Sequence, residues 1–154
     1  MPDLPVIDPD VRTADADDVA QLVVLETEAR RALIDQRGGA RWLEEHPIIG
    51  EAWLERLGSD TVFVAFIDEV LVGYVVVVDV APDISRVDQV FVTPEARGLG
   101  FGDELLAAGV AHARTRGAQV FEGEALPGDR DTKNLYERAG ITARLITVST
   151  RLDG

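Results

Sequence analysis

Residues 90–104, Val-Phe-Val-Thr-Pro-Glu-Ala-Arg-Gly-Leu-Gly-Phe-Gly-Asp-Glu, constrain the chain most, because an apolar strand must run into a glycine-rich turn carrying one arginine and then into a helix. Gly98, Gly100 and Gly102 permit backbone conformations closed to other residues. They also leave successive N–H groups uncovered at the positive end of a helix beginning near Gly100. Such a turn is an anion cradle, and a phosphate-bearing ligand is its expected occupant. A Walker loop would end in Gly-Lys-Ser/Thr, whereas this one ends Gly102-Asp103-Glu104, without the phosphate-binding lysine or the magnesium-binding hydroxyl. The dinucleotide fingerprint fits better, with Gly98-x-Gly100 and an acid, Glu122, about twenty residues on. Its third glycine position is Asp103, however, which would face the pyrophosphate. A tight connection with no ligand is the remaining alternative.

The 154 residues suffice for one domain, expected to span 1–154, and are too few for two comfortable ones. No apolar run is long enough to cross a bilayer, and the start Met1-Pro2-Asp3-Leu4-Pro5 lacks the features of a secretory signal, so a cytoplasmic location is expected. Cysteine is absent, and His46 and His112 lie far apart, so no metal is expected. With 28 acids against 15 bases the net charge is −13, which disfavours nucleic acid and anionic membrane and favours cationic partners. The anion cradle, with Arg97, must then act as a local positive island.

Periodicity and punctuation give an element order. A strand over 6–12 is followed by N-cap residues at 13–18 and by a helix with the stripe Val19, Leu22, Val23, Leu25, Ala29, Leu33, ending before Gly38-Gly39. A second helical stretch spans about 50–57. Strands over 61–67 and 70–80 are separated by Asp68-Glu69, the length of a hairpin turn. A strand over 85–92, the glycine turn and a helix closing near Gly117 come next. A strand over 119–124, a short helix capped by Asp129 or Asp131 and running to 139, and a final strand over 141–150 complete the chain. This order fits an α/β fold, an α+β arrangement of a central mixed sheet with helices on both faces.

The spacing Arg97-x-x-Gly100-x-Gly102 after such a strand resembles the acyl-CoA-binding motif of the GNAT superfamily of CoA-dependent N-acetyltransferases. A second motif follows, where the family shows Asn-x-x-Ala-x-x-Leu-Tyr-x-x-x-Gly-Phe: Leu135, Tyr136 and Gly140 match, while Asp129, Thr132 and Ile141 stand at the asparagine, alanine and phenylalanine positions. Recognition rests on the two motifs occurring in the right order. The resemblance implies the GNAT fold across 6–150, with acetyl-CoA as co-substrate in a wedge where the strands bearing Val90–Val92 and Glu122–Glu124 splay apart. It further implies that main-chain groups of Val90, Phe91 and Val92 pair with the pantetheine, a Val92 amide aiming at the thioester oxygen. The diphosphate falls to Arg97, Gly98, Leu99, Gly100, Phe101 and Gly102. Asp129 stands where the family contacts the pantetheine arm, and Asn134 is the residue expected to take over that contact.

Moving an acyl group from a thioester to an amine needs a neutral nucleophile, a stabilised oxyanion and a proton for the leaving thiolate. The resemblance assigns the proton to Tyr136, whose phenol, with a pKa near 10, stays protonated at neutral pH. An amine with a pKa near 10.4 must lose a proton, directly or through water. Glu124 and Asp88 match positions that supply the base or contact the amine in family members, and Glu122 is the reserve. Alternation places Asp88 on the side of its strand that carries Val90 and Val92. The acceptor is expected to lie against residues 26–57, where no motif names it, and Trp42, His46 and Trp53 are assigned no role. The reading is therefore an N-acetyltransferase acting on a primary amine of a small molecule or peptide by direct attack in a ternary complex. A silent acyl-CoA-binding sensor or partner domain, motivated by Asp129 and Ile141, is the alternative. The final strand is a candidate for pairing across a homodimer.

Overall fold

The computed structural model describes residues 9–152. Five strands form a single sheet in the order β1-β2-β3-β4-β5. They are β1 (Asp10–Thr13), β2 (Thr61–Ile67), β3 (Val70–Ala81), β4 (Ile84–Val92) and β5 (Val120–Gly123). β1 to β4 pair antiparallel with one another and β5 runs parallel to β4, so the sheet is mixed. Helices α1 (Val19–Leu33), α2 (Gly39–Glu45) and α3 (Trp53–Ser59) precede β2, α4 (Phe101–Thr115) joins β4 to β5, and α5 (Arg130–Arg138) follows β5.

The central strand explains why helices must cover both faces. In β3, Val75 and Val77 enter one core with Phe101, Leu105 and Leu106 of α4 and Leu135 and Tyr136 of α5. The alternate residues Tyr74 and Val76 enter the other core, with Leu22 and Leu25 of α1 and Trp53 of α3. A strand buried on both sides reads as an unbroken apolar run, which is how 70–80 appears in the sequence. At the start of α1 the N-cap cluster acts as expected: Asp15 and Asp18 form a capping box around a single 3-10 turn. Arg12 of β1 then clamps Asp18 with two hydrogen bonds, of 2.7 and 2.8 Å.

Three expectations need correction. Residues 6–8 of the first expected strand lie outside the described residues, and the strand seen covers Asp10–Thr13. Helix α1 already stops at Leu33, capped by Ile34, and the Gly38-Gly39 pair instead starts another helix, because Gly38 takes the left-handed backbone (φ 84°) from which α2 sets out. The expected last strand over 141–150 is not in the sheet: those residues have no regular structure, and Leu145 and Val148 are almost fully exposed. No helix among the described residues is long and apolar enough to cross a membrane.

Candidate acyl-CoA site

Between β4 and β5 the sheet forks. Their parallel pairing begins at Ile84 with Val120 and ends at Val87 with Gly123. β4 then continues through Asp88 to Val92 while the other chain leaves the sheet, opening a wedge beside the main chain of Val90, Phe91 and Val92. The side chains of these three are taken up by packing, as expected: Val90 and Val92 lie against the α4 core and Phe91 in the α1 core.

A bulge sits at the root of the fork. Val76 pairs with Gln89 but Val77 pairs with Val87, so Asp88 is an extra residue in β4. The bulge breaks the alternation from which Asp88 was placed beside Val90 and Val92. Asp88 turns instead to α3, where Arg56 donates to it at 2.8 Å while also pairing with Asp60. Its carboxylate is already engaged by a guanidinium.

At the end of β4 a 3-10 turn (Pro94–Ala96) leads into the glycine loop, where Gly98 (φ 81°) and Gly100 (φ 89°) are left-handed and Gly100 is the N-cap of α4. Gly102 is different. It lies inside α4 and was chosen for space, since a Cβ there would come within 3.1 Å of Leu135. The first hydrogen bond of the helix runs from the Glu104 amide to the Gly100 carbonyl, and no side chain caps the helix. The amides of Phe101, Gly102 and Asp103 thus have no helical partner. Leaving a helix end bare costs roughly 1 kcal/mol. Burial of Phe101, Leu105 and Leu106, each contributing about 1.5–3 kcal/mol, outweighs that cost and fixes the amides in place. Leu99 is partly exposed at the loop tip.

Three acids near the cradle, Asp103, Asp131 and Asp129, are engaged by other groups. Asp103, the acid that a dinucleotide fingerprint would have turned toward a pyrophosphate, accepts from Arg138 of α5 at 3.0 Å. Arg97 is not a bare cation either: its Nε donates to the Val92 carbonyl and its Nη1 to Asp131, each at 3.0 Å. Asp129 is the N-cap of α5, accepting from the Thr132 amide at 3.1 Å and from its hydroxyl at 2.7 Å. Asn134 faces outward on α5.

Tyr136 closes the fork. Its ring is buried against Gly123 so tightly that a Cβ on Gly123 would overlap the phenol, with Cζ only 2.6 Å away. Among the described residues no buried side-chain polar atom lacks a partner. The Tyr136 hydroxyl makes no hydrogen bond to any of them, so it opens to solvent at the point where β4 and β5 part. Burial, and next the negative charges of Glu124 and Asp129, push its pKa well above that of free tyrosine. Glu124 itself is exposed just past the end of β5, and Glu122 pairs with Arg86 at 3.0 Å.

Above the fork, the α1–α2 connection meets the β5–α5 loop. A Cβ on Gly38 would lie 3.4 Å from Leu126, and the two loops border an open cleft of about 700 Å³ lined by residues including Gln36, Arg37, Pro127 and Arg130. Behind it, α1 fixes the segment leading to α3. The Glu26 carboxylate, fully buried, accepts from the Ile49 and Gly50 amides and from Trp53 Nε1. Arg30 donates to the His46 carbonyl at 2.6 Å. Trp53 is a core residue, and Trp42 stacks on His46 at 4.1 Å. No group of three or more metal-ligating side chains occurs among the described residues.

Sequence reasoning missed the roles of Gly123, Arg138 and Glu26 and the pairing of Asp131 with Arg97. Gly123 carried a signal, since glycine within a strand often marks a close approach; the other three depend on partners remote in sequence.

The forked mixed sheet thus carries a bare helix N-terminus on one side and, at the split, a phenol with no hydrogen-bond partner among the described residues. The family model described as "Acetyltransferase (GNAT) family" matches residues 22–141, and the chain belongs to that family. No sequence among curated proteins matches it. Solved structures share the fold. A ribosomal-protein-alanine N-acetyltransferase from Brucella melitensis biovar Abortus 2308 is 20% identical, with a TM-score of 0.72 over 95% of this chain and 100% of that one. The aminoglycoside N-acetyltransferase AAC(6')-Iy in complex with CoA is 19% identical, with a TM-score of 0.65 over 94% and 95%. An acetyltransferase from Trypanosoma brucei is 18% identical, with a TM-score of 0.63 over 95% and 99%.

Proposed function

We propose that the protein transfers an acetyl group from acetyl-CoA to a primary amine of a small molecule or peptide by direct attack within a ternary complex. The observation that carries this reading is the Tyr136 hydroxyl, held without a protein partner at the fork and within the same core as the bare end of α4. The CoA complex of the aminoglycoside enzyme with this fold supports acetyl-CoA as the donor.

In this reading the amides of 98–103 hold the diphosphate, and Arg97 exchanges Asp131 for it. The pantetheine lies along Val90–Val92 in the manner of an added strand, and the Val92 amide faces the thioester oxygen. With Asp129 occupied in capping, Asn134 is left to reach the pantetheine arm. The amine nitrogen forms its bond to the acyl carbon as the carbon–sulfur bond breaks. Its proton passes to Glu124, directly or through water, because Asp88 is held by Arg56 and Glu122 by Arg86. The raised pKa keeps the proton on Tyr136 through the neutral range, so the phenol first stabilises the departing sulfur by hydrogen bonding and gives up its proton late.

A panel of amines with acetyl-CoA, monitored for free thiol, tests the reading. Amine-dependent thiol release with matching acetylated product by mass spectrometry is expected. Saturable CoA binding without thiol release from any amine would replace the transferase by a silent acyl-CoA-binding domain.

A further inference from the structure

We infer that the cleft between the α1–α2 connection and the β5–α5 loop is an oxyanion subsite, and that the acceptor amine carries a carboxylate or phosphate bound there by Arg37 and Arg130. This deepens the transferase reading and rests on it. The two loops are pressed together: a Cβ on Gly128 would meet the Gln36 side chain at 2.5 Å and lie 3.9 Å from the Arg37 nitrogen. Two arginines remote in sequence are thereby brought to the walls of one opening.

Donors there are unspent while acceptors are spent. Neither the Arg37 nor the Arg130 guanidinium has a hydrogen bond or ion pair among the described residues. In a chain with 28 acids against 15 bases this is unusual, and Arg56, Arg86, Arg97 and Arg138 each hold a carboxylate. Along the β5–α5 loop the carbonyls are taken: Leu126 accepts from the Asp129 amide at 3.0 Å, Pro127 from Lys133 Nζ at 2.7 Å and Gly128 from the Arg130 amide at 3.2 Å. An ammonium group would find one carboxylate in the lining, Asp35, whereas an oxyanion meets two free guanidiniums with the Lys133 charge anchored beside them. Arg130 is also the first residue of α5, where the positive end of the helix opposes a cation, and a bound anion offsets that cost.

Pro127 follows Glu124 by three residues, at most about 10 Å of extended chain, so an anion in the cleft and an amine at Glu124 belong to one small molecule or short peptide. The net charge of −13 attracts cations at long range, and the cleft reverses that preference at short range. A polycationic acceptor fits it poorly.

The probes are ω-amino acids with two to five methylene groups, each beside its neutral amide and the diamine of the same length. With acetyl-CoA, the parent protein is expected to show kcat/KM at least about tenfold higher for the best acid than for its amide, carried mainly by KM, with the diamine lowest. In Arg37→Gln/Arg130→Gln the ratio of acid to amide should fall to about one, and in Arg37→Glu/Arg130→Glu the diamine should lead. Equal use of acid and amide by the parent would overturn the inference and leave the transferase standing. The side-chain Nε–H NMR signals of Arg37 and Arg130, assigned from the single Gln variants, give a readout without turnover. Both should shift on addition of 6-aminohexanoate and stay in place on addition of 6-aminohexanamide, and absence of the shifts would overturn the inference. Shifts without thiol release from any amine would keep the subsite and remove the transferase. If calorimetry showed the double Gln variant losing affinity for CoA but not for dephospho-CoA, the oxyanion would be the coenzyme's own phosphate, and the acceptor assignment would fall.

Discussion

The chain's two tyrosines lie on opposite faces of the sheet, and their surroundings separate a structural face from a chemical one. Tyr74, in the α1 core, is fully buried, stacks edge-on against Trp53 at 5.5 Å, and donates to Gln89 Oε1 at 3.0 Å. Beside it Glu26 has three donors around one carboxylate. Every polar group there is closed off. On the α4 face the same residue type, equally well packed, keeps its hydroxyl free, and the adjacent helix keeps its first amides bare. Unspent hydrogen-bonding capacity costs stability, and its concentration at one place is why we propose that a ligand is held there.

The difference should be widest under paired substitutions. Tyr136→Phe is expected to lower turnover by about 10²–10⁴-fold while the affinity for acetyl-CoA, measured by calorimetry, stays within about twofold. Unchanged turnover would take Tyr136 out of the acid role and dissolve the contrast. Glu26→Ala should act in the opposite currency. It strands two backbone amides and an indole N–H in the α1 core, and a loss of about 3 kcal/mol or more in urea unfolding is expected.

Smaller effects sharpen the comparison. Tyr74→Phe removes one neutral hydrogen bond, for which about 1 kcal/mol of stability and no more than about a twofold change in turnover are expected. A turnover loss as large as that of Tyr136→Phe would show that the two faces are not distinct. The gentlest effect is on alkaline stability. Burial, together with nearby carboxylates, raises the pKa of both phenols in the folded state. Their contribution is therefore complete below the unfolded pKa near 10 and is lost as pH rises above it, since only the unfolded chain then readily releases its protons. Thermal melts of the parent should drop more steeply above about pH 10 than those of a Tyr74→Phe/Tyr136→Phe double variant.

What the sequence disclosed was local. The run 70–80, the hairpin at Asp68-Glu69 and the glycine turn announce themselves through period and punctuation, and each appears where it was expected. What it hid depends on partners distant in the chain. The bulge at Asp88 follows from a register shift against β3, and no pattern within 84–92 reveals it. Asp103 looked like a repulsive acid until α5 brought Arg138 to it from 35 residues away. The last segment shows the limit from the other side: its composition says strand, but a strand needs an edge, and within the chain no edge receives it.

A crystal structure with acetyl-CoA bound tests the central claim most directly. The account predicts diphosphate oxygens within hydrogen-bond distance of amides between Gly98 and Asp103, Arg97 released from Asp131, and the thioester sulfur next to the Tyr136 hydroxyl. A coenzyme seated elsewhere, or a glycine loop left empty while the Arg97–Asp131 pair stays closed, would contradict it.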